Sequence, residues 1–296
     1  MKKLLVSILA YNRLDMLKES VKEIRKQISP PHRILVVNNA STDGTKEWLA
    51  SQEDLIVINQ ENTGSEGGFY TCLLTGYALG YDWVMTLDDD IIPENGCMDS
   101  IFSSQYFQNE TTGFISCRVM NTEGKTYMTP GPCKHYWNYY DTIAQNNAVE
   151  VSSGTWAGLI VSRNAIEKAG LPISEFFLWD GDLEYTERIS RTMPCFLLLN
   201  AGIKHYQGSG SSEGFRIKYL YLSRNRFARI MISDASVLKK TILVAKSTYW
   251  IFSKIISGKF PVNALLWASK GLFLFKPKIR HITDVSVQRE MENLPV

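Results

Sequence analysis

The sequence predicts an α/β protein built on a mainly parallel twisted sheet flanked by helices, with a helical C-terminal extension that is basic and aromatic. Three observations carry this. Short Val, Ile and Leu runs alternate with helix-periodic segments over the first ninety residues, polar residues gather just after those runs, and the composition changes beyond Arg216. LLVSILA and RILVVNN are apolar runs of the kind found in strands covered on both faces. Between them, Leu14, Leu17, Val21 and Ile24 recur at helical spacing. A second helix follows the Ser-Thr-Asp-Gly segment, whose small polar side chains suit an N-cap. LIVIN supplies a third strand, GGFYTCLLTGYALG a third helix, and DWVMTLD a fourth strand ending in three aspartates. Such alternation implies parallel strands joined by right-handed crossovers. TGFISCRV, GTWAGLIVS and PCFLLLN continue the same sheet to about Gly210, with no linker, low-complexity tract or internal repeat. Ligands of such sheets sit beyond the carboxyl ends of the strands. There lie Asn12 and Arg13, Asn38 and Asn39, Asn62 and Gly64, and Asp88 to Asp90.

At 296 residues, 45% hydrophobic and 21% charged, the chain holds enough apolar material for one large packed domain or two modest ones. A division near residue 215 separates a body, 1–215, from the extension, 216–296. The five cysteines are scattered, odd in number and without a CxxC pair, which argues against a disulfide scaffold or zinc knuckle and for a reducing compartment. The opening MKKLLVSILAYNR has two lysines and a short apolar run, but no small-residue cleavage site. It reads as the first core strand rather than a signal peptide. The net charge of +2 hides a division: Phe215 to Arg280 holds 14 Lys and Arg against one acid, Asp234, a net of +13 beside −11 for the rest. A basic extension on an acidic body implies an anionic partner. Lysines interrupt every long apolar window there, so no transmembrane span is expected. From Val237 to Ile256, Lys239, Lys246 and Lys254 fall on one side of a helix, with Ile242, Leu243, Tyr249, Trp250, Phe252 and Ile256 as a broad apolar surface. That combination suits docking on an anionic membrane surface, or packing on the body or a second subunit.

The polar residues carry the chemistry. Asp88, Asp89 and Asp90 close an otherwise apolar strand. Adjacent carboxylates repel unless a cation neutralises them, and oxygen ligands suit Mg²⁺ or Mn²⁺; three acids alone read equally as a solvated turn, and their place at a strand end favours the site. ENTGSEGGF puts Asn62, Gly64, Gly67 and Gly68 between a strand and a helix, where a helix N-terminus favours an anion such as diphosphate, although Asn-x-Gly is also an ordinary turn. In WDGDLEYTERI, a helix from Gly181 makes Glu184 and Arg188 an i,i+4 ion pair and sets Asp182 near the helix start. Trp179 reads equally as a stacking surface for a sugar or as core. His205, after PCFLLLN, reads equally as a metal ligand or a structural histidine.

In order, these segments resemble the family 2 glycosyltransferases of the A-type nucleotide-sugar-binding fold. VSILAYNR resembles the first-strand motif, and VVNNASTDGT the second, in which an acidic or amide side chain, here Asn38, contacts the nucleobase. NTGSEGGF is similar to the Asn-x-Gly-x-x-Gly-Gly segment of a subgroup that transfers rhamnose or galactofuranose. LDDD resembles the acidic metal signature, DGDLEYTER the stretch carrying the catalytic base, KHYQGSG the metal-contacting histidine, and YLSRNR a downstream Tyr-x-x-Arg-Asn motif. Gly181 departs from the pattern, standing where relatives often carry an acid.

The resemblance implies an inverting, metal-dependent transfer from a nucleotide sugar. Asp182 is the implied catalytic base, with Asp180 in reserve. Asp88, Asp90 and His205 would hold Mn²⁺ or Mg²⁺. Tyr11, Arg13, Asn38, Asn39, Asn62, Gly67, Gly68, Asp88 and Asp89 would bind the donor, and Trp156, Trp179 and Asp180 the acceptor. UDP-galactofuranose is the favoured donor and dTDP-rhamnose the alternative. The acceptor would be a growing, lipid-linked surface glycan met at the inner, cytoplasmic face of the plasma membrane; an oligomer is compatible with this. A sugar-phosphate nucleotidyltransferase would need a glycine-rich basic loop after the first strand, and AYNRLDM contains no glycine. A nucleic-acid-binding module would leave the three aspartates unexplained, since acids repel phosphate, so no nucleic-acid partner is expected.

Overall fold

The computed structural model describes residues 2–127, 131, 133, 138–206 and 212–296. The chain opens with strand β1 (Leu4–Ala10), helix α1 (Leu14–Arg25), β2 (Arg33–Asn39), α2 (Thr45–Ala50), β3 (Ile56–Gln60), α3 (Gly64–Ala78) and β4 (Trp83–Asp88). These four strands are parallel, in the order β3-β2-β1-β4, with Leu5 opposite Arg33 on one side and Val84 on the other. Every residue of β1 is buried, as expected where helices cover both faces. Its residues alternate between two cores. Leu4, Val6 and Ile8 meet Leu17, Val21 and Ile24 of α1, while Leu5 and Leu9 meet Phe69 and Leu73 of α3.

Beyond β4 come β5 (Ile91–Pro93), α4 (Cys97–Ser103), α5 (Gln105–Gln108), β6 (Phe114–Met120), α6 (Asn138–Asn146), β7 (Ala148–Glu150), β8 (Leu159–Ser162), α7 (Arg163–Ala169), a 3₁₀ turn at Ser174–Phe176, α8 (Gly181–Ser190) and β9 (Phe196–His205). The sheet continues from β4 as β8-β6-β9-β5, with β7 also on β9. Here the pairings are mixed: β4 with β8, β8 with β6 and β9 with β5 are antiparallel, and β6 with β9 is parallel. The strand expected over GTWAGLIVS shortens to four residues. Gly158 takes a positive φ of 69°, and the Trp156 carbonyl accepts a hydrogen bond from the Thr86 hydroxyl, 2.8 Å away, instead of joining a ladder. His205 is the last residue of β9 rather than part of the following loop, and it pairs in register with Ile91. Gln207 and the glycine-serine run after it lie outside the described residues.

The expected division at 215/216 falls inside α9 (Ser212–Ile232), which leads to α10 (Val237–Ile256), α11 (Ala264–Phe273) and α12 (Val285–Glu292). Phe227, Ile251, Phe260, Ala264 and Ala268 form a small core among α9, α10 and α11. The chain then returns: Ile282 and Val287 enter the core beneath α3, and the Tyr70 hydroxyl donates to Glu290, 2.7 Å away. The outer faces of α10 and α11 stay bare, with Leu238 at 72%, Ile256 at 83% and, just after α11, Leu274 at 77% exposure. Among the described residues no helix is long and apolar enough to cross a membrane.

Candidate active site

Asp89 and Asp90 fill the two-residue link between β4 and β5, so sheet pairing fixes the acidic triplet on both sides. Asp88 is half-buried, and Asp89 and Asp90 are buried. The Tyr11 N–H donates to Asp89 Oδ2 at 2.8 Å, and Arg13 Nη1 lies 3.0 Å from Asp89 and 2.7 Å from Asp90. Burial, then repulsion from Asp90 and Asp89, pushes the Asp88 carboxyl up to about 7. Burial likewise raises Asp89 to about 6, with the Tyr11 N–H and Arg13 restraining the rise.

His205 Nε2 sits 3.2 Å from Asp90 Oδ1, and its Nδ1 is hydrogen-bonded to the Tyr127 hydroxyl, which fixes the ring. Burial works against the charged imidazole, but the pairing with Asp90 and the charge of Asp88 outweigh it and hold His205 above its ordinary value. Asp90 Oδ1 is buried and accepts no ordinary hydrogen bond. An unmet carboxylate oxygen beside an oriented imidazole fits a hard divalent cation. Among the described residues no three His, Cys, Asp or Glu groups gather into a finished cage. Such a cation would be completed by diphosphate oxygens and water, as Mg²⁺ and Mn²⁺ tolerate.

The amides at the neighbouring strand ends frame the loops. Asn38 Nδ2 donates to Asn59 and its Oδ1 accepts from the Ser41 N–H, at 2.8 and 3.0 Å. Asn39 donates to Asn62 Oδ1 and the Gly64 carbonyl, and accepts from the Thr63 N–H. Both are buried and engaged by the protein. The same holds for the glycines expected at the donor. A Cβ on Gly67 would stand 2.4 Å from the Thr63 side chain, and one on Gly68 2.2 Å from Leu9. The close approach they permit is therefore between α3 and its own surroundings.

Asp182 lies in the first turn of α8, and its Oδ1 accepts from the Leu183 N–H at 2.7 Å. Burial raises its carboxyl to about 7; that N–H and Arg229 oppose the rise, and Asp180 adds to it. The segment before it is strained, with φ of 64° at Phe177, 61° at Trp179 and 70° at Asp180. Asp180 is 5% exposed and ion-paired to Arg229 Nε at 3.1 Å, so its carboxylate is not presented to an acceptor or available as a second base. Trp156 is likewise core. It is 5% exposed, stacks against Phe69 and Tyr185, and directs Nε1 to Glu66 at 2.9 Å. Trp179 is half-buried, edge-on to Tyr219. Glu184 and Arg188 form the expected pair through two contacts of 2.8 Å.

Three residues outside the sequence assignments hold this loop. Asn225 is fully buried, and its Nδ2 lies 2.9, 2.8 and 2.8 Å from the carbonyls of Phe176, Leu178 and Trp179. Arg229 ties Asp180 to Glu187. Glu66 presses on Gly181. The YLSRNR segment contained the signal for Asn225, although its role depends on carbonyls distant in sequence. A groove of about 660 Å³, lined in part by Arg191, Arg226, Arg229 and Lys239, opens beside Arg229.

Residues 5–169 match the family described as Glycosyl transferase family 2. Over 214 residues the chain is 28% identical to galactofuranosyltransferase GlfT1 of Mycolicibacterium smegmatis, covering 68% of this chain and 70% of that protein. Among solved structures it is similar to S. aureus TarS 1-349 in complex with UDP, with a TM-score of 0.61 at 15% identity over 92% of this chain and 81% of that one. It is also similar to GalNAc-T7 with UDP, GalNAc and Mn²⁺, with a TM-score of 0.58 at 10% identity over 87% of this chain, and it spans 57% of that structure's length. At such identities the structural likeness speaks for the fold, which is the A-type fold expected from the sequence.

Proposed function

The chain belongs to glycosyl transferase family 2, and from that premise we propose that it is an inverting, metal-dependent hexosyltransferase. It moves galactofuranose from UDP-galactofuranose to a hydroxyl of a growing, lipid-linked surface polysaccharide. The observation that carries this reading is the pairing of Asp90 Oδ1 with His205 Nε2 at one set of strand ends, together with a buried carboxyl, Asp182, at the start of α8. The Asn-x-Gly-x-x-Gly-Gly segment and the similarity to a galactofuranosyltransferase favour this donor over dTDP-rhamnose.

Asp90 and His205 would hold the divalent cation, which when bound neutralises charge on the departing nucleoside diphosphate. Arg13, whose side chain is 42% exposed beside the triplet, brings a positive charge to the same end of the sheet. Asp182 takes the proton of the acceptor hydroxyl as that oxygen attacks the anomeric carbon from the face opposite the diphosphate. Its carboxyl, raised to about 7, is basic enough to hold that proton and acidic enough to be ionised beforehand. Asn225 and Arg229 fix the strained turn that aims it. The exposed apolar faces of α10 and α11, bordered by Lys239, Lys246 and Lys270, support peripheral docking on the cytoplasmic face of an anionic membrane.

The test is a panel of nucleotide sugars with Mn²⁺, scored for donor hydrolysis and for transfer to a lipid-linked acceptor. UDP-galactofuranose should be turned over fastest. Turnover of dTDP-rhamnose alone would replace the sugar and keep the mechanism. Loss of no activity on removing metal would overturn the cation's part.

A further inference from the structure

Glu66 stands in the opening turn of α3 and is 1% exposed. Trp156 Nε1 donates to its Oε2 at 2.9 Å. A Cβ built on Gly181 would stand 2.0 Å from Oε2 and 2.3 Å from Cδ. The Glu66 carboxyl thus fills the volume that a side chain at 181 would need, one residue before Asp182. The backbones meet there as well. The Glu66 N–H donates to the Phe177 carbonyl at 3.2 Å, and a Cβ on Gly64 would overlap that same oxygen at 2.0 Å.

The charges around Glu66 are unfavourable to its ionised form. Asp182 and Asp180 face it from α8, and Trp156 is neutral. Among the described residues no cation is ion-paired to Glu66, and Arg229 of α9 pairs with Asp180 and Glu187. A buried carboxylate beside two acids and without a paired cation is costly, and protonation removes the cost. Burial first, then Asp182, holds Glu66 well above the ordinary carboxylate range.

We propose that Glu66 is a positioning residue for Asp182: its carboxyl, held by the Trp156 indole, fills the space over Gly181 and so fixes the peptide from which the base projects. This rests on Asp182 being the base. Burial and the neighbouring acids favour the protonated form of Glu66, which joins α3 to the base loop without placing a second negative charge beside Asp182. A carboxylic acid kept protonated by a buried site can serve in this way.

The test uses the full chain. Infrared spectra at neutral pH should contain a protonated-carboxyl band in the wild type that E66Q removes and D182N leaves. With Mn²⁺ and UDP-galactofuranose, E66A should lower kcat about tenfold or more, since small misplacements of a catalytic group are expensive, with donor KM within about threefold. E66Q, which keeps the shape and the neutral state, should recover most of the loss. If E66A does not fold, the infrared comparison of wild type with E66Q decides, and it needs no donor. Absence of the band, or wild-type kcat in folded E66A, overturns the proposal. D182N assayed alongside separates the two readings: an active D182N removes the base assignment, whereas an inactive D182N with a fully active E66A removes only the part given to Glu66.

Discussion

His205 Nε2 lies 3.2 Å from Asp90 Oδ1 because β9 and β5 pair with His205 opposite Ile91, the residue after Asp90. Two residues 115 positions apart are thus fixed by backbone register. Asp90→Ala or His205→Ala should abolish metal-dependent turnover while the protein still unfolds cooperatively, because each change removes a proposed protein ligand of the cation. Turnover measured after EDTA treatment and Mn²⁺ re-addition checks this; full activity of either variant under both conditions would refute the assignment.

Asp182→Asn should lower turnover by on the order of a hundredfold or more with donor affinity nearly intact. The pH profile follows from the raised carboxyl. Below about 7 Asp182 is protonated and cannot accept the acceptor's proton, so kcat should fall as pH drops through that value. Asp180→Asn should act differently, through loss of the Arg229 pair, and should show as reduced stability. A profile flat from pH 5 to 8 in the wild type would count against Asp182 as the base.

Asn225→Ala should cost about 2 kcal/mol, because it strips a donor from buried carbonyls in a strained turn. Urea unfolding measures that loss. Turnover should fall by more than the loss of folded protein explains, since the same carbonyls precede the base.

The membrane reading is best probed by point changes. Removing everything after Ile230 would also remove Ile282 and Val287 from the core beneath α3. Ile256→Glu and Leu274→Glu alter residues that are 83% and 77% exposed, and should leave folding intact. The wild type should co-sediment with anionic vesicles at low salt and be released at high salt, and the double variant should bind markedly less. Equal binding by both would leave these faces for a second subunit.

The parts legible in the sequence were those written locally. Strands β1 to β4 are apolar runs and the Asp triplet marks the end of one, so pattern alone placed them, whereas β9 runs on through a polar stretch to His205, past the end of its apolar run. Glu66, Asn225 and Arg229 depend on partners 90, 46 and 49 positions away. An acid in the first turn of α3 reads from sequence as a favourable helix-end charge; only folding sets it over Gly181. The burial of Trp156 and Asp180 was hidden for the same reason, because an aromatic and an acid near a motif give no sign of the stack or ion pair that encloses them. The mixed second half of the sheet was hidden because short antiparallel strands carry the same apolar composition as parallel ones.

The return of α12 to α3 changes the mechanics of the helices between. A tail fastened at one end would let the catalytic body swivel over whatever surface the tail met. Here α10 and α11 form a loop of helices anchored at both feet, by α9 against Phe176 on one side and by Val287 beneath α3 on the other. A flat surface touching their outer faces would meet a platform of set tilt. The strand ends bearing Asp90, and the turn bearing Asp182, would then be held at one fixed angle and height to that surface, as a tool clamped in a stand.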